Sequence, residues 1–261
     1  MSLIEVEGAS KRYESAGDVV HALDSVNLTV EEGEFLSILG PSGCGKTTLL
    51  WAMSGLHPLS GGRILIKGEP VRGPREDVGM VFQEANLLPW RNLWQNICFP
   101  FEIKRRRPKE EAIRELLEAV GLSGFERRFP RELSGGMQQR AALVRCLAQE
   151  PKIMLLDEPF GALDPFSRDE MNLLLLDIWT RTRNTVVLVT HSISEAIFLA
   201  DRVVVLSARP GRVAGEFTVD LPRPRSLDMT MTVPFLELSK AVRRTIDAGF
   251  GRPLAAGGGL G

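Results

Sequence analysis

The stretch FLSILGPSGCGKTTLLWAMSGL, residues 35–56, joins three different sequence patterns. Its first part, FLSIL, is short and apolar and ends at a glycine, which is typical of a buried strand. Its last part, KTTLLWAMSGL, has the pattern of a helix. The glycine-rich segment GPSGCG lies between them. The stretch therefore predicts a strand, a tight loop and a helix in direct succession.

The loop between this strand and this helix, residues 40–47, fits the phosphate-binding pattern G-x-x-x-x-G-K-[ST]. Glycines let backbone N–H groups turn inward around phosphate oxygens, and the positive end of the helix adds to them. Lys46 is expected to reach the β- and γ-phosphates and Thr47 to ligate Mg²⁺. A chance glycine-rich turn is disfavoured by the placement between strand and helix. The other residues expected at the phosphates are Gly40, Pro41, Ser42, Gly43, Cys44, Gly45 and Thr48.

A second buried strand, IMLLDE, ends in two acidic residues, Asp157 and Glu158. In open α/β sheets, ligands bind at the carboxyl ends of the strands. Asp157 is predicted to hold Mg²⁺ through water, and Glu158 to accept a proton from the attacking water. An ordinary acidic strand end is the alternative, and it is disfavoured by the phosphate loop in the same chain. The sequence thus predicts a nucleoside triphosphate with Mg²⁺ at this site.

The composition is ordinary for a globular protein, with 261 residues and a formal net charge of −1. No global basic field points to nucleic acid. The N-terminal segment MSLIEVEGASKRYE lacks the apolar core of a signal peptide, and no apolar run reaches the roughly 18 residues of a membrane span. Cys44, Cys98 and Cys146 match no metal or disulfide spacing, so a reduced, cytoplasmic setting is expected.

Strand and helix patterns alternate after residue 150, which favours a largely parallel sheet, whereas residues 86–150 have mostly helical spacing. The predicted fold class is α/β: a P-loop NTPase core with a mostly parallel sheet, an N-terminal antiparallel β subdomain and an inserted α-helical subdomain.

Six motifs in one order connect this chain to a known family. GPSGCGKTT, Gln83, LSGGMQQ, IMLLDEP, GALD and His191 follow one another as in the nucleotide-binding subunit of ABC transporters, which the chain resembles over about residues 3–245. LSGG followed by a DEP strand end is very specific. The resemblance implies one ABC ATPase domain at 1–250. Within it we expect a RecA-like core at about 1–85 and 151–220, a helical subdomain at about 86–150 and a C-terminal helix at about 234–247, before a flexible tail at 251–261.

The resemblance also implies a homodimer in the ATP-bound state. Two subunits meet head to tail, and Ser134, Gly135 and Gly136 face the γ-phosphate held by the partner's phosphate loop. The LSGG turn has no lysine and no Mg²⁺ ligand of its own, so it has the character of half a site. Met137 stands where the family often has glutamine, and we expect little effect because the serine and the glycines make the contact.

Further roles follow from the resemblance by position. Tyr13 resembles the aromatic residue that stacks on adenine, although packing in the core is the alternative. Gln83 resembles the glutamine that touches Mg²⁺ and the attacking water. Asp164, in GALD, resembles the residue that couples the two sites. His191 resembles the switch histidine at the γ-phosphate, although a lone histidine after a strand is usually structural.

The resemblance implies a membrane partner as well. The segment NLLPWRNLWQNICFPFE after Gln83 corresponds to a groove that receives a short helix of an integral membrane permease. Its apolar residues are Leu87, Leu88, Trp90, Trp94 and Phe99, and their alternative role is the core of the helical subdomain. A peripheral position on the cytoplasmic face of the inner membrane follows, with a solute-binding protein as an indirect partner.

Three short pieces, NLLPW, SARPGR and DLPRPR, resemble the branch of importers for nitrate, sulfonates and taurine. Two other classes stay open. An ABC-type ATPase acting on DNA or ribosomes usually has coiled-coil insertions or two cassettes, and this chain has one set of motifs and no basic stripe. A nucleotide-binding regulator without turnover is disfavoured by Glu158 and His191.

Overall fold

The computed structural model of the chain describes residues 2–15 and 18–249. The predicted flexible tail at 251–261 lies outside them. The strands are β1 (Ser2–Ser15), β2 (Asp18–Glu31), β3 (Phe35–Leu39), β4 (Gly61–Ile66), β5 (Glu69–Pro70), β6 (Val78–Val81), β7 (Ile153–Asp157), β8 (Thr185–Val189), β9 (Arg202–Leu206) and β10 (Val213–Thr218). The helices are α1 (Lys46–Met53), α2 (Leu93–Ile103), α3 (Glu110–Ala119), α4 (Gly135–Leu147), α5 (Pro165–Thr182), α6 (Ile193–Leu199) and α7 (Val233–Gly249).

The chain forms two compact units. The first contains the residues up to Pro74 and from Val187 onward, and the second contains Arg75 to Val186. Among the described residues, no helix is both long enough and apolar enough to cross a membrane.

An antiparallel sheet occupies the N-terminal part of the first unit, with strand order β2-β1-β4-β5. Burial alternates along β2, where Val26, Leu28 and Val30 are buried and the residues between them are exposed. This alternation leaves one face apolar and one in water, as antiparallel sheets commonly do. The predicted N-terminal antiparallel subdomain is confirmed.

A second sheet of the first unit carries the strand that precedes the phosphate loop. Its strands follow the order β10-β9-β3-β8, with β3 parallel to β9 and β10 antiparallel at the edge. All five residues of β3 are buried, which explains its continuous apolar run. Helix α7 contacts α6, β9 and β10, and it buries Phe235 and Val242.

The second unit combines the parallel strand pair β6–β7 with helices α2 to α5. Helix α4 contacts α2, α3 and β6. Helix α2 begins with a reciprocal capping box between Asn92 and Gln95, which satisfies two amides at its N-terminus. The α/β fold class with its helical insertion is confirmed, whereas the residue boundaries of the subdomains stay a prediction.

Two elements were not predicted from the sequence. Helix α2 contains Pro100, which the sequence pattern does not favour inside a helix. Strand β10, VAGEFT, is a half-buried edge strand with glycine at its centre, and its pattern is correspondingly faint. Both elements are held by their neighbours more than by their own propensities.

Candidate nucleotide-binding site

The phosphate loop (residues 40–47) turns sharply between β3 and α1, and its glycines are required by close contacts. A Cβ atom on Gly40 would lie 2.8 Å from Cys44 Sγ and 2.9 Å from Leu206 O. Gly45 has φ +100°, and a Cβ there would lie 2.6 Å from Ala22 O. Larger residues would displace backbone at both positions, so the loop conformation depends on glycine.

The N-terminus of α1 is arranged to receive an anion. Gly45 occupies the N-cap position, where glycine has no side chain that could cap the helix. The first-turn amides of a helix need partners from outside the helix, and they carry the positive end of its dipole. Phosphate oxygens fit this end of α1, as they do at glycine-rich loops that lead into helices.

Lys46 brings a positive charge to the same loop. Its side chain folds over the loop, so that Nζ donates to the carbonyl oxygens of Gly40 at 2.8 Å and Pro41 at 3.0 Å. The residue is buried, and its ammonium group is held against the loop carbonyls. The ammonium therefore lies where it can exchange these carbonyls for phosphate oxygens.

Tyr13, on β1, lies beside the helix that begins at the phosphate loop. Its hydroxyl is 3.4 Å from Thr48 Oγ1, and Lys11 Nζ lies 5.1 Å from the centre of its ring. The ring is half-buried. This position borders the loop, and both predicted roles of Tyr13, adenine stacking and core packing, stay predictions.

His191 is exposed, directly after β8, in a turn that is tied to β3. The preceding Thr190 donates its amide to Ile38 O at 3.3 Å, and its hydroxyl donates to the buried Glu195 carboxylate. Ser192 caps α6 by accepting from the amide of Glu195 at 3.2 Å. These bonds fix the turn near the carboxyl end of the strand that leads into the phosphate loop.

The two acidic residues at the end of β7 differ in their surroundings. Asp157 is 2 % exposed, and Glu158 is half-buried. Glu158 has φ +45°, a left-handed conformation that costs a residue with a side chain about 1 kcal/mol. Its carbonyl accepts from the Gly161 amide at 3.1 Å, which closes the turn.

The LSGG turn, residues 133–136, begins helix α4. Ser134 is the N-cap, and its hydroxyl accepts from the Met137 amide at 3.2 Å. A Cβ on Gly135 would meet nothing within 4 Å among the described residues. A Cβ on Gly136 would lie 2.6 Å from Leu163 Cδ2, in the GALD segment. Gly136 thus permits a close approach of the two segments, and Gly135 leaves open space at a helix N-terminus.

Asp164 is the N-cap of α5. Its carboxylate accepts from the amides of Phe166 and Ser167, both at 3.1 Å. A hydrogen bond from the Ser167 side chain, and after it the bonds from the amides of Ser167 and Phe166, hold the pKa of Asp164 below its ordinary value. The carboxylate thereby fixes the turn between GALD and α5.

The side chain of Gln83 is exposed, and its backbone is held by helix α4. Gln139 donates to the carbonyl oxygen of Gln83, and Arg145 donates to those of Ala85 at 2.8 Å and Asn86 at 2.9 Å. Burial lowers the pKa of Arg145. The sequence analysis did not predict these roles of Gln139 and Arg145. Their signal is the polar side chains on the otherwise apolar stripe of QQRAALVRCL.

The predicted site residues therefore divide between the two units. The first unit brings together Tyr13, Gly40, Pro41, Ser42, Gly43, Cys44, Gly45, Lys46, Thr47, Thr48 and His191. The second contains Gln83, Ser134, Gly135, Gly136, Asp157, Glu158 and Asp164. Their individual catalytic and binding roles stay predictions.

The family model described as ABC transporter matches residues 23–161. The chain belongs to the ABC transporter family. It is therefore an ATP-binding ATPase of the ABC type, and the recognition made from its motifs is confirmed.

Relatives and solved structures agree with this membership. The aliphatic sulfonates import ATP-binding protein SsuB of Bacillus licheniformis is 50% identical over 204 residues, covering 78% of this chain and 80% of that one. The taurine import ATP-binding protein TauB of Rhizobium johnstonii is 47% identical over 225 residues, covering 85% and 86%. A dimeric structure of the ATP-binding cassette MJ0796, in a post-hydrolysis state bound to ADP and Pi, is 32% identical, with a TM-score of 0.75 over 84% of this chain and 100% of that one.

Replacement of Lys46 by alanine should weaken ATP binding by about tenfold to a hundredfold, because charge-assisted hydrogen bonds to phosphate are lost. Calorimetric titration with ATP measures the change. Lys67→Ala, at an exposed position in the turn between β4 and β5, is the control and should bind ATP as the native protein does. Undiminished affinity in Lys46→Ala would show that the ammonium is not a phosphate ligand.

Proposed function

We propose that this ABC ATPase powers the import of a small solute through a separate membrane permease, and that it binds ATP with Mg²⁺ at the phosphate loop. The observation that carries the nucleotide site is the glycine-dependent loop, with Lys46 folded over it and a helix behind it whose N-cap residue is Gly45. The import role is supported by relatives that are named as importer subunits.

Each predicted residue has a chemical task in this proposal. Lys46 and the loop amides hold the β- and γ-phosphates, and His191 contacts the γ-phosphate. Glu158 accepts a proton on its carboxylate from the water that attacks the γ-phosphorus. The donors expected to hold Mg²⁺ are Thr47, Gln83 and Asp157. The ion would neutralise phosphate charge, and these hydroxyl, amide and carboxylate oxygens are the ligand types that it prefers.

We further propose that each catalytic centre is completed by a second copy of the chain. The LSGG turn supplies a serine and two glycines at the N-terminus of α4, but no cation and no metal ligand. Open space beside Gly135 suits the approach of a partner's nucleotide. The dimeric state of the MJ0796 cassette supports this arrangement.

The mutation Glu158→Gln should slow hydrolysis by about 10²- to 10⁴-fold while ATP binding persists, because the base is removed and the shape is kept. Phosphate release and size-exclusion chromatography with ATP measure the two effects. We expect a lasting dimer for Glu158→Gln. Glu118→Gln, at an exposed position of α3, is the control and should hydrolyse ATP as the native protein does. A chain that remains monomeric at every ATP concentration contradicts the shared centre.

The mutation Ser134→Arg should block ATP-driven dimerisation and leave nucleotide binding to the monomer intact. An arginine at this N-cap removes the bond to the Met137 amide and fills the space meant for the partner's phosphate. Light scattering with and without ATP, in the Glu158→Gln background, reports the dimer. Ser123→Arg, at another exposed serine of the second unit, should leave dimerisation unchanged. Normal dimerisation of Ser134→Arg argues against the proposed arrangement.

The segment after Gln83 is our proposed docking site for the permease. Trp90 is 71% exposed, and Ile103, at the end of α2, is 66% exposed. Of the other apolar residues predicted to line a groove, Leu87, Leu88, Trp94 and Phe99 are half-buried. Leu93 and Ile97 on α2 are fully buried and fill the core beneath them. An exposed tryptophan is a frequent anchor residue in interfaces.

The mutation Trp90→Glu should release the ATPase from its permease, since it places a charge in an apolar interface. Purification from membranes in detergent, with the chain tagged, measures how much of a partner with several apolar spans is retained. Leu56→Glu introduces the same charge at another exposed apolar residue and should retain the partner. Recovery of nucleic acid or ribosomes in place of a membrane partner would favour the DNA- or ribosome-directed alternative.

The class of solute is proposed from the relatives and from the branch motifs NLLPW, SARPGR and DLPRPR. SsuB and TauB are named for aliphatic sulfonates and taurine, and we propose a solute of the nitrate, sulfonate and taurine class. The solute-binding protein and the permease would select it, because the ATPase contacts the permease and not the solute. The proposed location is the cytoplasmic face of the inner membrane, where the chain is held peripherally by the permease.

A further inference from the structure

The segment SARPGR, residues 207–212, forms a closed turn after β9. It contains none of the residues to which a role in ATP hydrolysis is assigned above. Ser207 donates its amide to Arg212 O at 2.8 Å, and its hydroxyl donates to Pro210 O at 3.1 Å. The Arg212 amide donates in turn to Ser207 Oγ at 3.1 Å. These bonds close the SARPGR turn on itself, so that its contacts with other segments are made from a defined conformation.

The first contact joins Arg209 to the phosphate loop. Its Nε donates to the carbonyl oxygen of Gly43 at 3.1 Å. Gly43 has φ +75°, and a Cβ there would lie 2.9 Å from Arg209 Nη2. The guanidinium thus lies against the face of Gly43 where a side chain would begin.

The second contact joins Gly211 to the next carbonyl of the loop. A Cβ on Gly211 would lie 2.1 Å from Cys44 O, so the two backbones touch with no room for a side chain. Gly211 is itself attached to β2, because its amide donates to Ala22 O at 2.9 Å and its carbonyl accepts from the Asp24 amide at 3.0 Å. An ion pair between Arg212 and Asp24 adds to this attachment.

Contacts with these carbonyls determine where the loop amides point. A trans peptide is planar, with its C=O and N–H directed to opposite sides. The carbonyl of Cys44 shares its peptide with the amide of Gly45. When Gly211 packs on that carbonyl, the Gly45 amide is directed away from the SARPGR turn. Backbone amides of this loop are the groups expected to bind phosphate.

We propose that the SARPGR turn positions the phosphate loop, with Arg209 and Gly211 holding the carbonyls of Gly43 and Cys44 so that the loop amides are preorganised for nucleotide phosphate. Arg209 acts through the loop backbone and not as a phosphate ligand. This inference rests on the proposed nucleotide site at the loop, and it assigns a role to a motif that had marked only the importer branch.

Two substitutions at Arg209 distinguish the effect of its hydrogen bond to the loop from the effect of its charge. Glutamine places its Nε2 at the same point along the side chain as arginine Nε, so Arg209→Gln keeps the donor to Gly43 O and removes the charge. Arg209→Met has a side chain of the same length as glutamine and removes both the donor and the charge. We expect Arg209→Met to weaken ATP and ADP binding equally, by about tenfold, with KM raised and kcat at saturating ATP unchanged. Arg209→Gln should bind both nucleotides within about twofold of the native protein.

Gly211→Ala provides an independent variant, since its Cβ would press on Cys44 O. We expect at least the same loss of ATP and ADP affinity, together with a lower urea midpoint in the absence of nucleotide, because the Cβ would displace backbone. Gly73→Ala is the matched control, because a Cβ there meets nothing within 4 Å in the described part of the chain, and it should bind nucleotide normally. If Gly211→Ala fails to fold, the pair at Arg209 decides.

Calorimetric titration with ATP and ADP gives the affinities, and steady-state phosphate release gives KM and kcat. Native-like affinity in both Arg209→Met and Gly211→Ala would overturn the inference and leave the proposed function standing. Equal losses in Arg209→Gln and Arg209→Met, larger for ATP than for ADP, would overturn it by making Arg209 a direct phosphate ligand. Failure of the native chain to bind ATP would instead refute the proposed function.

Discussion

Close backbone approach around the phosphate loop is the constraint on which the rest of this protein depends. Gly40 and Gly45 lie so near to neighbouring carbonyl groups that a single methyl group would displace backbone. The contacts come from Leu206 at the end of β9 and from Ala22 on β2, far apart in sequence. The shape of the loop therefore depends on contacts with both sheets. The geometry that is proposed to bind phosphate therefore depends on the fold of the first unit. Burial of β3 and the contact with β2 both contribute to that geometry.

The second unit depends on turns that side chains hold in place. The side chains of Ser134 and Asp164 each cap the N-terminus of a helix. These caps fix the direction in which α4 begins after the LSGG turn and α5 begins after GALD. Gly136 lets the two segments approach each other. Helix α4 also holds the backbone after Gln83 through Gln139 and Arg145. One helix thereby links the LSGG turn to the segment that we propose for permease docking, within a single compact unit.

Sequence patterns predicted the parts of the fold in which one local rule dominates. Alternating burial on β2, continuous apolar runs on β3 and β7, and the glycine end of α3 at Gly121 are rules of this kind. Helix α2 and strand β10 were not predicted, because Pro100 is unfavourable inside a helix and a half-buried edge strand has a faint pattern. Packing against neighbouring elements stabilises both. Gln139 and Arg145 escaped for a similar reason, since the carbonyls that they bind lie about sixty residues away.

By itself the sequence determined the family, the nucleotide chemistry and the residues available for it, because the phosphate loop, the LSGG turn and the acidic strand end are local motifs whose spacing is set by the chemistry of phosphate. Tertiary structure alone decided what surrounds them. It brought Arg209 and Gly211 against Gly43 and Cys44, exposed Trp90 while burying Leu93, and gave Glu158 its left-handed backbone. The contacts of Arg209 and Gly211 join segments distant along the chain, and the left-handed conformation of Glu158 belongs to a turn that the sequence pattern did not predict. No local sequence pattern predicts such contacts, because each of the two segments has a sequence that fits its own secondary structure whether or not the other segment is present.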